Sequence, residues 1–398
     1  MIKISPLKLT LLLISMLTIM AGTPVAPTLP KMAEAFAGQP QAELLTRLVL
    51  TMPALFTVFG APMAGVIADR FGRKPLLMAA LVLYTVAGVS GYFGQNLYQI
   101  LVGRAFLGLA VGGCYTAATT LIGDYYFGRE RADLLGFQAA FTTAGGVVFI
   151  SLGGYLAELG WRFPFLIYAM GAGVFILALW NIREPVRDRK PAHPDGRGGV
   201  PWGLFSMIYM VALIGHIGFF AVPVQMPFYL QREFGIGGVG TGLVLSLATV
   251  FATLTGFNYG RIRSHLSYGA TFAAMFGFMG VSYVIVGFAP SVWILLPGLC
   301  LTGIAAGMLI PTMNNWISDI TDDHSRGRAL GILTTAIFLG QFLTPVVTEP
   351  LVTATPSYGT FFWVLGFILL GLCLLVAPLG AALNRRTGLL VARHDVQP

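Results

Sequence analysis

The sequence predicts an all-α polytopic membrane protein, with twelve transmembrane helices in two pseudo-symmetric six-helix halves. Three observations predict it. Composition comes first: of 398 residues, 56% are hydrophobic and only 10% are charged, against about 25% charged in soluble domains. Second, apolar runs of about 20 residues recur along nearly the whole chain, each long enough to cross about 30 Å of hydrocarbon. Third, the chain repeats itself. At a shift of 195 residues Gly103 meets Gly298, Gly108 meets Gly303, Gly112 meets Gly307, Asp124 meets Asp319, Arg131 meets Arg326, Gly136 meets Gly331 and Gly145 meets Gly340. Glycine is abundant here, so the paired Asp and Arg are the informative matches.

Taken in order, the runs between charges and turn residues place spans at 8–30, 45–67, 75–94, 98–122, 135–157 and 163–182. Six more follow at 204–230, 240–259, 268–288, 292–317, 329–348 and 360–383. The first, behind Lys3 and Lys8, resembles a signal peptide. Its apolar run continues past Pro24 and Pro27 and more spans follow, so it reads as a membrane helix. The polar segment 183–203 divides six spans from six and reads as a flexible linker. The halves are then 1–182 and 204–398. Parallel six-helix halves related by an axis along the membrane normal are a transporter architecture, with the substrate site at their interface.

The net charge of +8 is a topology signal here rather than the mark of a nucleic-acid partner. With both termini cytoplasmic, nineteen of the 24 Lys and Arg residues fall on that side. Lys31, Arg47, Arg162 and Arg232 fall outside, and Arg104 is left within a span. This asymmetry follows the positive-inside rule. The sixteen acids divide between the two sides, with Glu34, Glu43, Glu158, Glu233 and Glu349 outside, and none remains for the membrane centre. Cys114, Cys300 and Cys373 lie far apart in apolar runs, with no spacing for a metal or a disulfide framework. No cofactor is implied.

The loop after the second span reads GVIADRFGRKP. It resembles the signature of the major facilitator superfamily, G-x-x-x-D-[RK]-x-G-[RK]-[RK], through Gly65, Asp69, Gly72, Arg73 and Lys74. A tight turn between helices uses glycine, and a carboxylate can pair across the helix ends. The resemblance implies a conformational lock in which Asp69 and Arg73 are joined by a carboxylate ending the fourth helix, here Asp124. The second-half segment GFNYGRIRSHLS keeps Gly256 and Arg261 but has no Asp, so the lock is expected on one side only. LVGRAFLGLAVGG resembles the fourth-helix motif of the twelve-helix drug:proton antiporters, with Arg104, Gly108 and Gly112 in place and Leu107 where glutamine is usual. Arg104, Gly108, Gly112 and Tyr115 share one stripe. Arg104 either faces the cavity or bonds to carbonyls of a broken neighbouring helix. In the fifth span Gly145, Gly153 and Gly154 match the antiporter signature, but Phe149 and Ile150 replace its Gly-Pro. The repeat places Pro345 opposite Ile150. Pro24, Pro27 and Pro223 are expected bending points.

Candidate cavity residues are Arg104 and Tyr115 in the fourth span, His216, Phe220 and Gln225 in the seventh, and Asn314, Asn315 and Trp316 in the tenth. These spans line the cavity in the superfamily that the chain resembles. His216 is the titratable group near a span centre whose ordinary pKa, about 6.5, suits a proton carrier, or else it is a neutral wall residue. An enzyme is not expected: Gly88–Gly91 superficially fits an intramembrane serine protease motif, but no histidine stands on a helix of the same half. The expected function is alternating-access transport, foremost proton-driven efflux of small amphipathic or hydrophobic compounds, neutral or anionic. An uptake symporter or facilitator, or a flippase of lipid-like molecules, is the alternative. The expected partners are a small-molecule substrate, protons and the lipid bilayer, for a monomer in a bacterial inner membrane.

Overall fold

A computed structural model describes residues 5–185, 202–321 and 323–394. Among them all regular structure is helical, and twelve helices are long and apolar enough to cross a membrane. Helices 1 to 6 are Pro6–Ala35, Ala42–Phe71, Arg73–Phe93, Leu97–Tyr125, Gly128–Leu159 and Phe163–Asn181. Helices 7 to 12 are Trp202–Glu233, Gly238–Phe257, Tyr268–Gly287, Val292–Ile320, Asp323–Ala354 and Tyr358–His394. A short helix, Tyr259–His265, follows helix 8. Several helices outrun their apolar cores. Helix 2 has 30 residues, which reach about 45 Å at 1.5 Å per residue and carry its charged ends to the interfaces.

Contacts divide the chain into two compact units, one of Met1–Lys190 with Pro223–Ser246, the other of Pro191–Val222 with Leu247–Pro398. The boundaries are not those of the sequence halves, because helix 7 is divided at Pro223 and helix 8 after Ser246. Residues 186–201 of the expected linker lie outside the described residues.

Within the first unit, prolines decide where helices break and what mends them. Helix 1 is interrupted by a 3-10 turn at Thr23–Thr28, which holds Pro24 and Pro27. Proline has no N–H, so the carbonyl four residues earlier loses its partner. In helix 2, Pro53 frees the carbonyl of Val49 in this way. Arg104 supplies what is missing. Its Nε donates to Val49 O at 2.8 Å, one terminal nitrogen to the Tyr168 hydroxyl at 2.7 Å, and the other to Ala21 O at the helix 1 break. Tyr168, in the 3-10 opening of helix 6, also donates to Ala21 O. One guanidinium thus ties helices 1, 2, 4 and 6, and Arg104 is 1% exposed. The sequence left two orientations open for Arg104, and it takes the one turned into the helices, not the one facing a cavity.

Small residues set the packing of helices 2 and 4. A Cβ at Gly108 would lie 2.8 Å from the Phe56 side chain, and one at Gly112 would lie 2.6 Å from the Ala61 nitrogen. In the second unit a Cβ at Gly303 meets Phe251, and one at Gly307 meets Thr255. The 195-residue shift carries Phe56 to Phe251 and Gly60 to Thr255, so the repeat is legible in the packing of helices 2 and 8 as well. Gly145 of helix 5 lies on Met16 of helix 1, Gly153 on the Pro24 carbonyl, and Gly154 on Gly238 of helix 8.

Replacing Arg104 with Ala strands the buried Val49 carbonyl, at about 1–3 kcal/mol, and leaves Ala21 O and the Tyr168 hydroxyl with only each other. Arg104→Ala is expected to lower the thermal midpoint in detergent strongly. Arg104→Lys is expected to recover only part of the loss, since one ammonium on a flexible stem cannot match a guanidinium fork.

Candidate functional site

The turn between helices 2 and 3 is a single residue, Gly72, with φ +107°. A side chain there would be strained by its backbone alone. It would also collide with Glu184, whose Oε1 lies 2.8 Å from the Cβ position. Around this turn the first unit assembles a charged cluster. Arg73 Nε lies 2.7 Å from Asp124 Oδ2 at the end of helix 4. Glu184, just beyond helix 6, accepts the backbone N–H groups of Arg73 at 2.8 Å and Lys74 at 2.7 Å. These N–H groups belong to the first turn of helix 3, where a carboxylate meets the positive end of the helix dipole. Lys74 Nζ donates to Leu179 O at 3.0 Å, and the Tyr125 hydroxyl both donates to Arg183 O and accepts from Arg183 N.

Two expectations for this turn need correction. Asp69 does not join the cluster: it lies on the exposed side of the last turn of helix 2, and among the described residues no hydrogen bond or ion pair reaches it. Gly65 has open space where a Cβ would stand. The carboxylates that hold Arg73 and its helix are Asp124 and Glu184. Glu184 was missed because its role depends on helix 6 returning to the helix 3 terminus. An acid followed by proline at a span end is the one local signal for it.

The second unit carries a counterpart with different chemistry. The 195-residue register places Tyr268 at the position of Arg73 and Asp319 at that of Asp124. The Tyr268 hydroxyl donates to Asp319 Oδ2. The Arg263 guanidinium sits 3.8 Å from the centre of the Tyr268 ring, and that ring stacks on Trp316 with centroids 5.3 Å apart and planes 4° from parallel. A polar contact between the corresponding positions is thus present in the second unit too, without the Asp of the loop signature. Aligning Gly256 with Gly65 obscured this, because the packing register puts Gly260 there instead.

The expected cavity residues separate. Trp316 is fully buried against Tyr268 and Phe272 of helix 9, so it is core. His216 is buried, with Nδ1 2.9 Å from Ala212 O, and its Cβ lies 3.0 Å from the Cβ position of Gly340 in helix 11. Gln225 is fully buried as well. Tyr115, Asn314 and Asn315 are exposed. Phe220 is half-buried, edge-on to Phe219 at 5.7 Å. Pro223 and Pro345 lie inside helices 7 and 11.

At the opposite end of the first unit a second charged cluster joins helix 2 to the end of helix 7. Glu43 Oε2 lies 3.1 Å from Arg47, and its Oε1 lies 2.9 Å from Arg232. Both guanidinium groups face the ring of Phe228, at 4.5 Å and 5.2 Å. Beside them Lys31 pairs with Glu158 at 3.2 Å, and Gln231 donates to Pro27 O at 2.8 Å. In the sequence these charges read only as residues outside the membrane.

Two repeat-related sets of six spans, each with a polar contact across a helix turn at one end, define a polytopic membrane transporter. The chain belongs to the Major Facilitator Superfamily, whose sequence profile matches residues 11–268 and 208–389. It is 27% identical over 371 residues to the class G tetracycline resistance protein of Vibrio anguillarum, covering 88% of this chain and 91% of that one. It is 22% identical over 310 residues to the quinolone resistance protein NorA of Staphylococcus aureus (strain MSSA476), covering 76% and 80%. Among solved structures, a D-xylose-proton symporter superposes with a TM-score of 0.76 at 18% identity, over 93% of this chain and 96% of that one. That likeness is one of fold.

Asp124→Asn and Glu184→Gln are each expected to cut the initial transport rate at least several-fold with little change in protein level. A Gly72→Ala variant is expected to lose thermal stability as well, because both its φ and the Glu184 contact oppose a Cβ. Rates in reconstituted vesicles and melting in detergent check both.

Proposed function

We propose that this transporter exports small amphipathic or hydrophobic compounds, neutral or anionic, in exchange for protons. The face with the Gly72 turn and both termini is the cytoplasmic one, in a bacterial plasma membrane, and the working unit is a monomer with its two six-helix halves at 1–182 and 204–398. The observation that supports the substrate class is the lack of acids at mid-membrane. Among the described residues, the carboxylates lie near helix ends, whereas a carrier of multivalent cations calls for a buried acid. The two curated relatives, named for tetracycline and quinolone resistance, point to export rather than uptake. In this reading Tyr115, Phe220, Asn314 and Asn315 contact substrate, and the latches at Arg73–Asp124 and Tyr268–Asp319 set the conformational equilibrium.

Everted membrane vesicles containing the protein, energised to an acid interior, are expected to accumulate a tetracycline or a fluoroquinolone. Collapsing the pH gradient is expected to abolish accumulation. Equal movement with the gradient collapsed removes proton exchange, and movement only of sugar-like solutes removes the drug class.

His216 is the wall residue of this scheme rather than the proton carrier. Its Nδ1 is engaged by the Ala212 carbonyl and its ring is packed at helix 11. His216→Gln is expected to keep gradient-driven export within about threefold of the parent. Loss of gradient coupling with retained downhill transport assigns the proton to His216 instead.

A further inference from the structure

Helix 7 is one continuous helix by backbone, yet its contacts change owner at Pro223. Pro223 and Pro227 both lack the N–H that would close on residues 219 and 223. Two successive carbonyl partners are thus missing on one side of the helix, which is where a helix in a membrane bends at least cost. Helix 8 changes owner after Ser246. The segment Pro223–Ser246 is therefore a hairpin of two helix ends, joined to the rest of helices 7 and 8 at two points.

Several contacts dock this hairpin on helices 1, 2 and 5. Gly238 and Gly242 lie against Gly154, with no side chain between the backbones. Ser246 meets Ser151 at 2.9 Å, Val239 N donates to Glu158, and Gln231 donates to Pro27 O. Most of these contacts are neutral and short in reach. The cluster at Glu43 differs. Arg47 is 0% exposed, and a guanidinium at such a site relies on its carboxylate, because an ion stripped of water is stable only when paired. The same carboxylate holds Arg232 of the hairpin, and Phe228 of the hairpin covers Arg47. One further turn along the stripe from Glu43 and Arg47 stands Thr51, 1% exposed, whose hydroxyl has no hydrogen-bond partner.

We infer that Glu43 is the keystone of an exit latch: its carboxylate, shared between Arg47 of helix 2 and Arg232 of helix 7, holds the Pro223–Ser246 hairpin shut over the outer ends of helices 1, 2 and 5. The hairpin lifts about Pro223 to open the route out. With the hairpin shut, Arg47 is sealed under Phe228, and Thr51 lies buried one turn deeper on the same stripe. With it raised, Arg232 and Phe228 leave with helix 7, and Glu43 and Arg47 line the opening together. Glu43 is thus a positioning residue for release, and the inference rests on the orientation and direction of transport proposed above.

The test reads access rather than transport. In a background lacking Cys114, Cys300 and Cys373, Thr51→Cys places a near-isosteric thiol at a buried position two turns along helix 2 from Glu43. A membrane-impermeant maleimide is added to whole cells. Labelling is expected to be slow in this parent and about tenfold faster with Glu43→Gln. Arg232→Gln, which leaves the pair of Glu43 with Arg47, is expected to accelerate it as well. Glu43→Asp, shorter by one methylene, is expected to fall between. Unchanged labelling in both Glu43→Gln and Arg232→Gln overturns the latch, as does equal labelling by Glu43→Asp and Glu43→Gln. A Thr51→Cys thiol that labels only in everted vesicles overturns the proposed orientation instead. No substrate or gradient enters the measurement, so a failed drug assay leaves this result standing.

Discussion

Every backbone carbonyl in a hydrocarbon environment needs a donor from within the protein, and in the first unit Arg104 meets that constraint for two carbonyls on different helices. The chain uses proline where its helices must bend, and each proline strands a carbonyl one turn back. At Val49 and Ala21 the stranded oxygens converge on one guanidinium. A planar group with five donors in a fixed fork suits acceptors that arrive from different helices. The break in helix 1, the Pro53 site in helix 2 and the 3-10 opening of helix 6 share this one hub. The packing of Gly108 and Gly112 against helix 2 brings helix 4 close enough for Arg104 to reach.

The other charged groups lie at the helix ends, where they set which surfaces adhere. The Gly72 turn gathers Arg73, Asp124 and Glu184 around the start of helix 3. The far end gathers Glu43, Arg47 and Arg232 around Phe228. The spans between are closed by small residues and aromatic rings, with few groups that hold a fixed charge.

Much of this was legible before any coordinates. The twelve spans follow from hydropathy, and Arg73 with Asp124 follows from a loop signature and a repeat. What was not legible depends on the return of the chain. Glu184 looked like one more linker charge until helix 6 brought it to the helix 3 terminus. Tyr268 was not singled out at its span start, because a phenol in place of an arginine breaks the pattern of letters while keeping a donor in the same place. Trp316 looked like a cavity residue because periodicity gives a stripe but not which neighbour it meets. Arg47 could be placed outside the hydrocarbon, but nothing in one sequence reports that it is fully covered there.

The two helix-turn latches differ in a way that reaches beyond their geometry. Arg73 and Asp124 are partly exposed ions, and mobile salt within about 8 Å at physiological strength weakens such a pair. The Tyr268 hydroxyl is neutral, and its bond to Asp319 is a short-range one that counterions hardly touch. A duplicated ancestor with two identical ends would respond to the ionic milieu at both. This chain holds one end by an exposed ion pair and the other by a neutral donor beside the Arg263 guanidinium, so its two related ends depend differently on the ionic milieu.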